Sequence, residues 1–436
     1  MKKVLILSKY IAPVQEIASI RWTKLAKYLK RCGDYEISVL TDEKTFDRKQ
    51  INSFRRDPLL ERDLNVFSEY HVFPDGKLLS RYYSLKARYS DYAKETVNPV
   101  AISPHRQILY EIMHDWKDYL QCGDAIAYMK AHPEITNCDI LISSYGPAWT
   151  HLTGEWLKQH KPTVKWIADY RDLLCFDSTP PITRYFRKNF AAHHTGGADL
   201  VTTVSKAMVP ELQLPKNQKI CILPNGFDPE EALPARRPER FVLLYTGTIK
   251  VTGARDQDLT PVFKLLQELI KDHELNKDDL VLQYIGKDGC LFTEQAKSCD
   301  LASCIDNRGY VSREEAAIFR QNCAALLLST WNNEREQGIL TGKLFEYMQA
   351  GKPIFAVCTG NVPNSNVYEI LQKGRIGNCI ETCRQETYGE LRSYILNTYK
   401  SWKNFEEPFY QPDEAYIKSF THLALAKKLH QEICLL

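Results

Sequence analysis

A chain of 436 residues is longer than one hydrophobic core usually serves, so two domains are expected. With 44% apolar and 25% charged residues and a net charge of +3, it is ordinary globular material with no electrostatic case for nucleic acid. No apolar run approaches the roughly 18 residues that span a bilayer. The 13 cysteines contain no Cys-x2-Cys pair, which argues against zinc and for unpaired thiols in a reducing cytoplasm.

The elements alternate from the first residues. Val4-Leu-Ile-Leu7 reads as a buried strand, not a leader, because Lys9, Glu16 and Arg21 interrupt any longer apolar stretch. An amphipathic helix from Ile20 to Leu29 follows, then strand Ile37 to Leu40. Asp139 to Ser143 is another strand, with a turn at Gly146-Pro147 and a helix through Trp156. Val164 to Ala168, Leu200 to Val204 and Ile220 to Leu223 continue the series. Apolar strands separated by helices predict a parallel sheet covered on both faces. Pro234 to Arg240 is Pro- and charge-rich and reads as a linker.

The pattern then restarts with strand Phe241 to Tyr245, helix Leu259 to Ile270 and strand Leu280 to Ile285. Helix Arg313 to Gln321 and strand Ala324 to Ser329 come next. Thr341 or Gly342 opens a helix with Leu344, Phe345 and Met348 on its buried stripe, and Gly351 with Pro353 stops it. Strand Ile354 to Val357 follows. The expected fold is α/β: two doubly wound, Rossmann-like domains, 1–234 and 241–408. A closing helix in 409–436 crosses back to the first. Ligands of such sheets bind beyond the carboxyl ends of the strands, which places the expected site in a cleft between the domains.

The helix opening near Thr341 offers free N–H groups and a positive dipole end, which suit a diphosphate. Lys343 in its first turn opposes that dipole, so it calls for an external anion or a nearby carboxylate. The plainer reading is a solvated Lys343 and Glu346 on a surface helix.

Four segments carry a resemblance. They are Asp139-Ile-Leu-Ile-Ser-Ser-Tyr-Gly-Pro147 with His151, Trp166-Ile-Ala-Asp169-Tyr-Arg171-Asp172, Ala198 to Ser205 with Leu223-Pro-Asn225-Gly226-Phe-Asp228, and Lys343 to Pro353. In this order the chain resembles GT-B glycosyltransferases, more narrowly the family 4 retaining enzymes of bacterial surface-polysaccharide assembly. The second segment is similar to the "ADFRDPW" signature and the fourth to "KLFEYLAAGKPI". The resemblance implies a nucleotide diphosphate sugar as donor substrate, no cofactor, no bound metal and a glycan or lipid-linked acceptor. It also implies a retaining reaction in which the leaving phosphate takes the acceptor's proton.

Residue by residue, it puts Glu346 on the donor ribose and Lys343 on the diphosphate. The position of the family's first Glu holds Gly338, for which Glu334 or Glu336 is the expected substitute. Gly247-Thr-Ile-Lys250 lacks the family's Arg, leaving Lys250, Arg255 and Lys343 as candidate cations around Gly247. The loop Asn307-Arg308-Gly309-Tyr310 is expected to read the base, with Arg308 stacking on it and Tyr310 beside it. Asp169 and Asp172 are the candidate catalytic acids that orient the acceptor hydroxyl, with Arg171 on phosphate. The structural alternative is an Asp169–Arg171–Asp172 ion-pair cluster. His151 either touches acceptor or sugar or is a helix-start residue. Asn225-Gly226 reads as a tight turn.

Residues 43 to 135 depart from the regular pattern. Lys77 to Tyr89 mixes basic residues with Leu and Tyr, either a patch docking on an anionic membrane or a basic helix covering the first domain. The expectation is a cytoplasmic transferase, peripheral on the inner face of the cell membrane. A GT-B sugar-nucleotide epimerase and a non-catalytic GT-B protein binding a partner enzyme stay open beside it.

Overall fold

A computed structural model describes residues 1–43, 56–84, 104–176, 179–250, 256–405 and 410–436. The chain divides into two compact units, Met1–Pro224 with Ala426–Leu436, and Asn225–Leu425. The division falls before the Pro234 to Arg240 stretch because that stretch is bound into the second unit. Arg236 donates its N–H to the Gln321 carbonyl and its own carbonyl accepts from Lys352 Nζ, while Trp402 donates to the Pro238 carbonyl.

The first unit is built on strands β1 (Lys2–Leu7), β2 (Tyr35–Asp42), β3 (Glu69–Phe73), β4 (Ile140–Ser144), β5 (Lys165–Tyr170), β6 (Leu200–Thr203) and β7 (Ile220–Ile222). They form one sheet in the order β3-β2-β1-β4-β5-β6-β7, all pairs parallel. Val4 of β1 registers with Ile37 on one side and Ile140 on the other. A strand flanked on both edges and covered on both faces needs the unbroken apolar run Val4 to Leu7. Helix α1 (Ile17–Cys32) buries Trp22, Leu25, Ala26 and Leu29, a helical spacing.

The stretch read as irregular contains the edge strand β3 and the long helix α2 (Pro104–Ala131). Only Phe73 of β3 is fully buried, so this edge strand carries no apolar run to announce it. Of the basic segment 77–89, residues 77–84 are helical with Leu79 and Tyr82 buried, and the remainder lies outside the described residues. Helix α3 (Trp149–His160) packs Trp149 edge-on against Phe73, 5.0 Å between ring centres.

The second unit has β8 (Phe241–Thr246), β9 (Leu280–Ile285), β10 (Ile305–Gly309), β11 (Ala325–Trp331), β12 (Ile354–Thr359) and β13 (Gly377–Glu381), in the order β10-β9-β8-β11-β12-β13 and again parallel. Side chains of β8 and β11 alternate between two cores. Leu243, Tyr245 and Leu327 enter one with Phe263, while Leu244, Leu326 and Leu328 enter the other with Phe345 and Met348. In both units strand order reverses beside the first strand, between β1 and β4 and between β8 and β11. Those reversals are where open parallel sheets leave a crevice.

Helix α4 (Arg313–Gln321) starts on a capping box, Ser312 with Glu315. Helix α5 (Gly342–Ala350) begins after Thr341 and ends at Gly351, whose φ of +62° is the left-handed stop that glycine permits. The closing segment is two helices, Glu414–Lys418 and His422–Cys434, where one was expected. Between them the Ser419 and Thr421 hydroxyls bond the carbonyls of Tyr416 and Lys418, competing with helix continuation. Among the described residues no helix is long and apolar enough to cross a membrane.

Candidate functional site

In the second unit, β8 ends in Tyr245-Thr246 and the chain turns at Gly247 with φ +94°. Lys343 reaches back from the first turn of α5 to lie across this turn. Its Nζ donates to the Tyr245 hydroxyl at 2.7 Å and to the Thr248 carbonyl at 2.8 Å, and sits 4.2 Å from the Tyr245 ring centre. A Cβ at Gly247 would stand 2.8 Å from the Lys343 Cε, so the position needs glycine for space as well as for φ.

The turn is braced from below. Tyr245 and Tyr284 rings stack at 6.0 Å, the Tyr284 hydroxyl donates to the Gly247 carbonyl, and Asp288 accepts from the Ile249 N–H. Tyr347 of α5 accepts from the Thr246 N–H through its hydroxyl. Burial pushes the Lys343 pKa down to about 7, with Lys250 adding to the effect and Glu346 and Asp288 opposing it. Lys250 itself is exposed. Arg255 lies outside the described residues.

One turn further along α5, Glu346 meets two arginines of α4: Arg320 at 3.3 Å and Arg313 at 4.0 Å. Arg313 is also paired with Glu231 at 2.9 Å. This cluster, Lys343 and Gly247 all border the carboxyl end of β8, beside the strand-order reversal.

In the first unit, Arg171 follows β5. It donates to the carbonyls of Tyr145 and Gly146, pairs with Asp172 at 3.2 Å and lies over the Tyr10 ring at 5.4 Å. Asp172 is more than half exposed, so this pair reaches solvent at the carboxyl end of the first sheet.

No protein-family model matches the sequence, and no curated protein matches it. Solved structures do. HepE from Anabaena, in complex with UDP-glucose, aligns over 100% of both chains at 12% identity with a TM-score of 0.56. Sucrose-phosphate synthase from Thermosynechococcus elongatus aligns over 100% of this chain and 99% of its own, at 12% identity and a TM-score of 0.60. The lipopolysaccharide outer core galactosyltransferase WaaB aligns over 99% of both chains, at 13% identity and a TM-score of 0.54. The chain has the GT-B fold.

Several residues expected at the site of this GT-B chain lie elsewhere. Asp169 is inside β5, fully buried, and does not face the surface. Arg21 Nη2 and the Thr202 hydroxyl bond one carboxylate oxygen at 2.7 Å, and the Trp22 indole bonds the other at 2.8 Å. Burial alone would raise its pKa; the Arg21 guanidinium and these hydrogen bonds outweigh that and hold it below the usual carboxylate range. Arg21 also donates to the carbonyls of Leu223 and Pro224, so Asp169 ties β5 through α1 to the end of β7. The expected three-residue cluster therefore reduces to Arg171 with Asp172.

His151 is fully buried, its Nδ1 2.7 Å from the Ser143 hydroxyl, and burial depresses its pKa to about 3, so it is neutral. It is a core residue beneath the sheet end, not a surface contact.

Glu336 is also fully buried and bonded by the Trp331 indole at 2.7 Å, which removes it as a substitute for the first acid. Gly338 has φ +73°, a conformation that an L-glutamate rarely adopts, and this accounts for the glycine there. Arg308 belongs to strand β10 rather than a loop and is paired with Asp306 at 2.9 Å. Tyr310 follows it with an exposed ring, Lys287 Nζ 5.3 Å from the centre.

Tyr245, Arg21, Arg313 and Arg320 carry much of this geometry and were not anticipated. Tyr245 reads as core from its place in an apolar run, and the arginines sit on helices with no motif around them.

Proposed function

We propose that the protein is a glycosyltransferase that moves a sugar from a nucleoside diphosphate donor to a glycan or lipid-linked acceptor. The carrying observation is Lys343, a cation in the first turn of α5, laid over the positive-φ Gly247 at the strand-order reversal of the second sheet. A diphosphate at this helix start would meet N–H groups, the dipole and the ammonium together. HepE, a chain of like fold, is recorded with UDP-glucose, which puts uridine nucleotides first among the donors to be tried.

In the proposed reaction the bond between the sugar's anomeric carbon and the leaving phosphate oxygen breaks as the acceptor oxygen bonds that carbon. The acceptor proton passes to the leaving phosphate, and configuration is retained. Charge builds on the phosphate, where Lys343 acts. No metal is assigned a role. Asp172, exposed and held by Arg171, is the proposed partner of the acceptor hydroxyl, and Tyr310 the proposed base-side contact. The protein is proposed to work in the cytoplasm, peripheral on the membrane if its acceptor is lipid-linked.

A second reading, a GT-B protein that binds nucleotide without turnover, is favoured by Gly338 and by the burial of Glu336, which leave the exposed Glu334 as the remaining substitute for the first acid. One experiment separates them. Thermal unfolding with uridine, guanosine and adenosine diphosphates and their sugars should show stabilisation by at least one pair. Release of the nucleoside diphosphate is then followed across an acceptor panel. Stabilisation without release supports the second reading; no stabilisation by any of them removes both.

A further inference from the structure

The Glu346 carboxylate is held from one side and left open on the other. Arg320 arrives from the last turn of α4 with its side chain only 5% exposed, and Glu346 is its ion-pair partner at 3.3 Å. Arg313, from the first turn of α4, stands at 4.0 Å and is anchored by Glu231. Both cations therefore belong to one element. Among the described residues no group donates a hydrogen bond to the Glu346 carboxylate, and 24% of its side chain is exposed. An ionised carboxylate offers about four lone-pair sites on two oxygens. Ion pairing at these distances leaves sites open to two hydroxyls presented side by side.

Here the buried partner is the arginine and the exposed one is the carboxylate. That asymmetry suits a carboxylate aimed by its neighbours at something outside the protein. A buried guanidinium is costly to place and keeps a planar, rigid fork. It can therefore fix a flexible glutamate more firmly than a solvated lysine would.

We propose that Arg320 is a positioning residue that aims Glu346 at a vicinal diol, the 2′,3′-hydroxyls of a nucleotide ribose. The inference rests on the nucleotide-binding reading above and adds a residue that acts without touching the ligand. It is tested with the full chain and three probes, uridine, guanosine and adenosine diphosphate, each beside its 2′-deoxy counterpart. Binding is measured by calorimetry for the wild type, Arg320→Met and Arg320→Lys, with melting temperatures recorded for all.

The expected result is that the wild type prefers the ribonucleotide over its deoxy form by roughly 10-fold or more, the worth of one hydrogen bond to a charged group. Arg320→Met should lose most of that preference at little change in melting temperature, and Arg320→Lys should fall between. Full preference retained in folded Arg320→Met, or in Arg320→Lys should the methionine variant not fold, overturns the proposal. A wild type that binds nucleotide with no preference overturns it too and leaves the nucleotide site standing. A wild type that binds none of the probes overturns both.

Discussion

The Lys343 ammonium stands 2.7 Å from the Tyr245 hydroxyl and lies over the same ring, so a single tyrosine both accepts its hydrogen bond and shields it from water. The lysine is held against the turn and only partly exposed to solvent. An incoming diphosphate would add negative charge to that already supplied by Asp288 and by Glu346, the latter drawn towards Arg320.

Lys343→Ala should lower turnover by on the order of 100- to 1,000-fold, the usual cost of losing one donor to developing charge. Donor affinity should fall less, because phosphate charge grows in the transition state. The check is a kcat and KM pair for the variant with a matched melting curve. A loss of rate that merely follows a lower melting temperature would make Lys343 structural.

The depressed pKa of Lys343 makes a prediction about stability with a definite sign. Its folded value is about 7 and its unfolded value the ordinary lysine value of 10.5. Between these the unfolded chain binds more protons, so stability from this group rises with pH across that window. Lys343→Met lacks the dependence. The difference in unfolding midpoint, wild type minus Lys343→Met, should therefore move upward from pH 6.5 to pH 9.5. A flat difference would mean the ammonium is not desolvated.

Gly247→Ala should destabilise the second unit and disable the site together. Its φ of +94° is costly for any L side chain, and the new Cβ would stand 2.8 Å from the Lys343 Cε. Backbone strain of this kind costs about 1–3 kcal/mol. In the Lys343→Ala background the clash disappears and only the strain remains. Urea unfolding of the two single variants and the double variant should show that partial recovery.

Much of the architecture was legible because parallel strands buried on both faces are unbroken apolar runs, as in Val4 to Leu7 and Ala325 to Leu328. The edge strand β3 lacked such a run and stayed hidden. Helix α5 was legible from its stripe and its Gly351 stop, and with it the neighbourhood of Lys343 and Glu346. What those side chains touch was not. Tyr245 lies 98 positions from Lys343, and Arg21 lies 148 positions from Asp169. Nothing local marks either pairing. Asp169 looked like a site residue because it sits near a strand end and His151 because it sits near a helix start, yet the strand is covered on both faces and the helix turns His151 into the core.

Asp169 supplies the last prediction, one about fold rather than chemistry. It accepts bonds from Arg21, Trp22 and Thr202 and is fully buried. Asp169→Ala would leave Arg21 charged and unpaired in the interior, a change that typically costs about 3–5 kcal/mol. Asp169→Asn keeps the shape and should cost less. Because the folded-state pKa of Asp169 is depressed, its contribution is present above the unfolded carboxylate value near 3.9 and is lost as pH falls through the folded value. The stability gap between wild type and Asp169→Asn should accordingly be full at pH 7 and shrink in acid. Urea midpoints at pH 7 and in strong acid measure it. A folded, fully stable Asp169→Ala variant that is merely inactive would return Asp169 to the catalytic site.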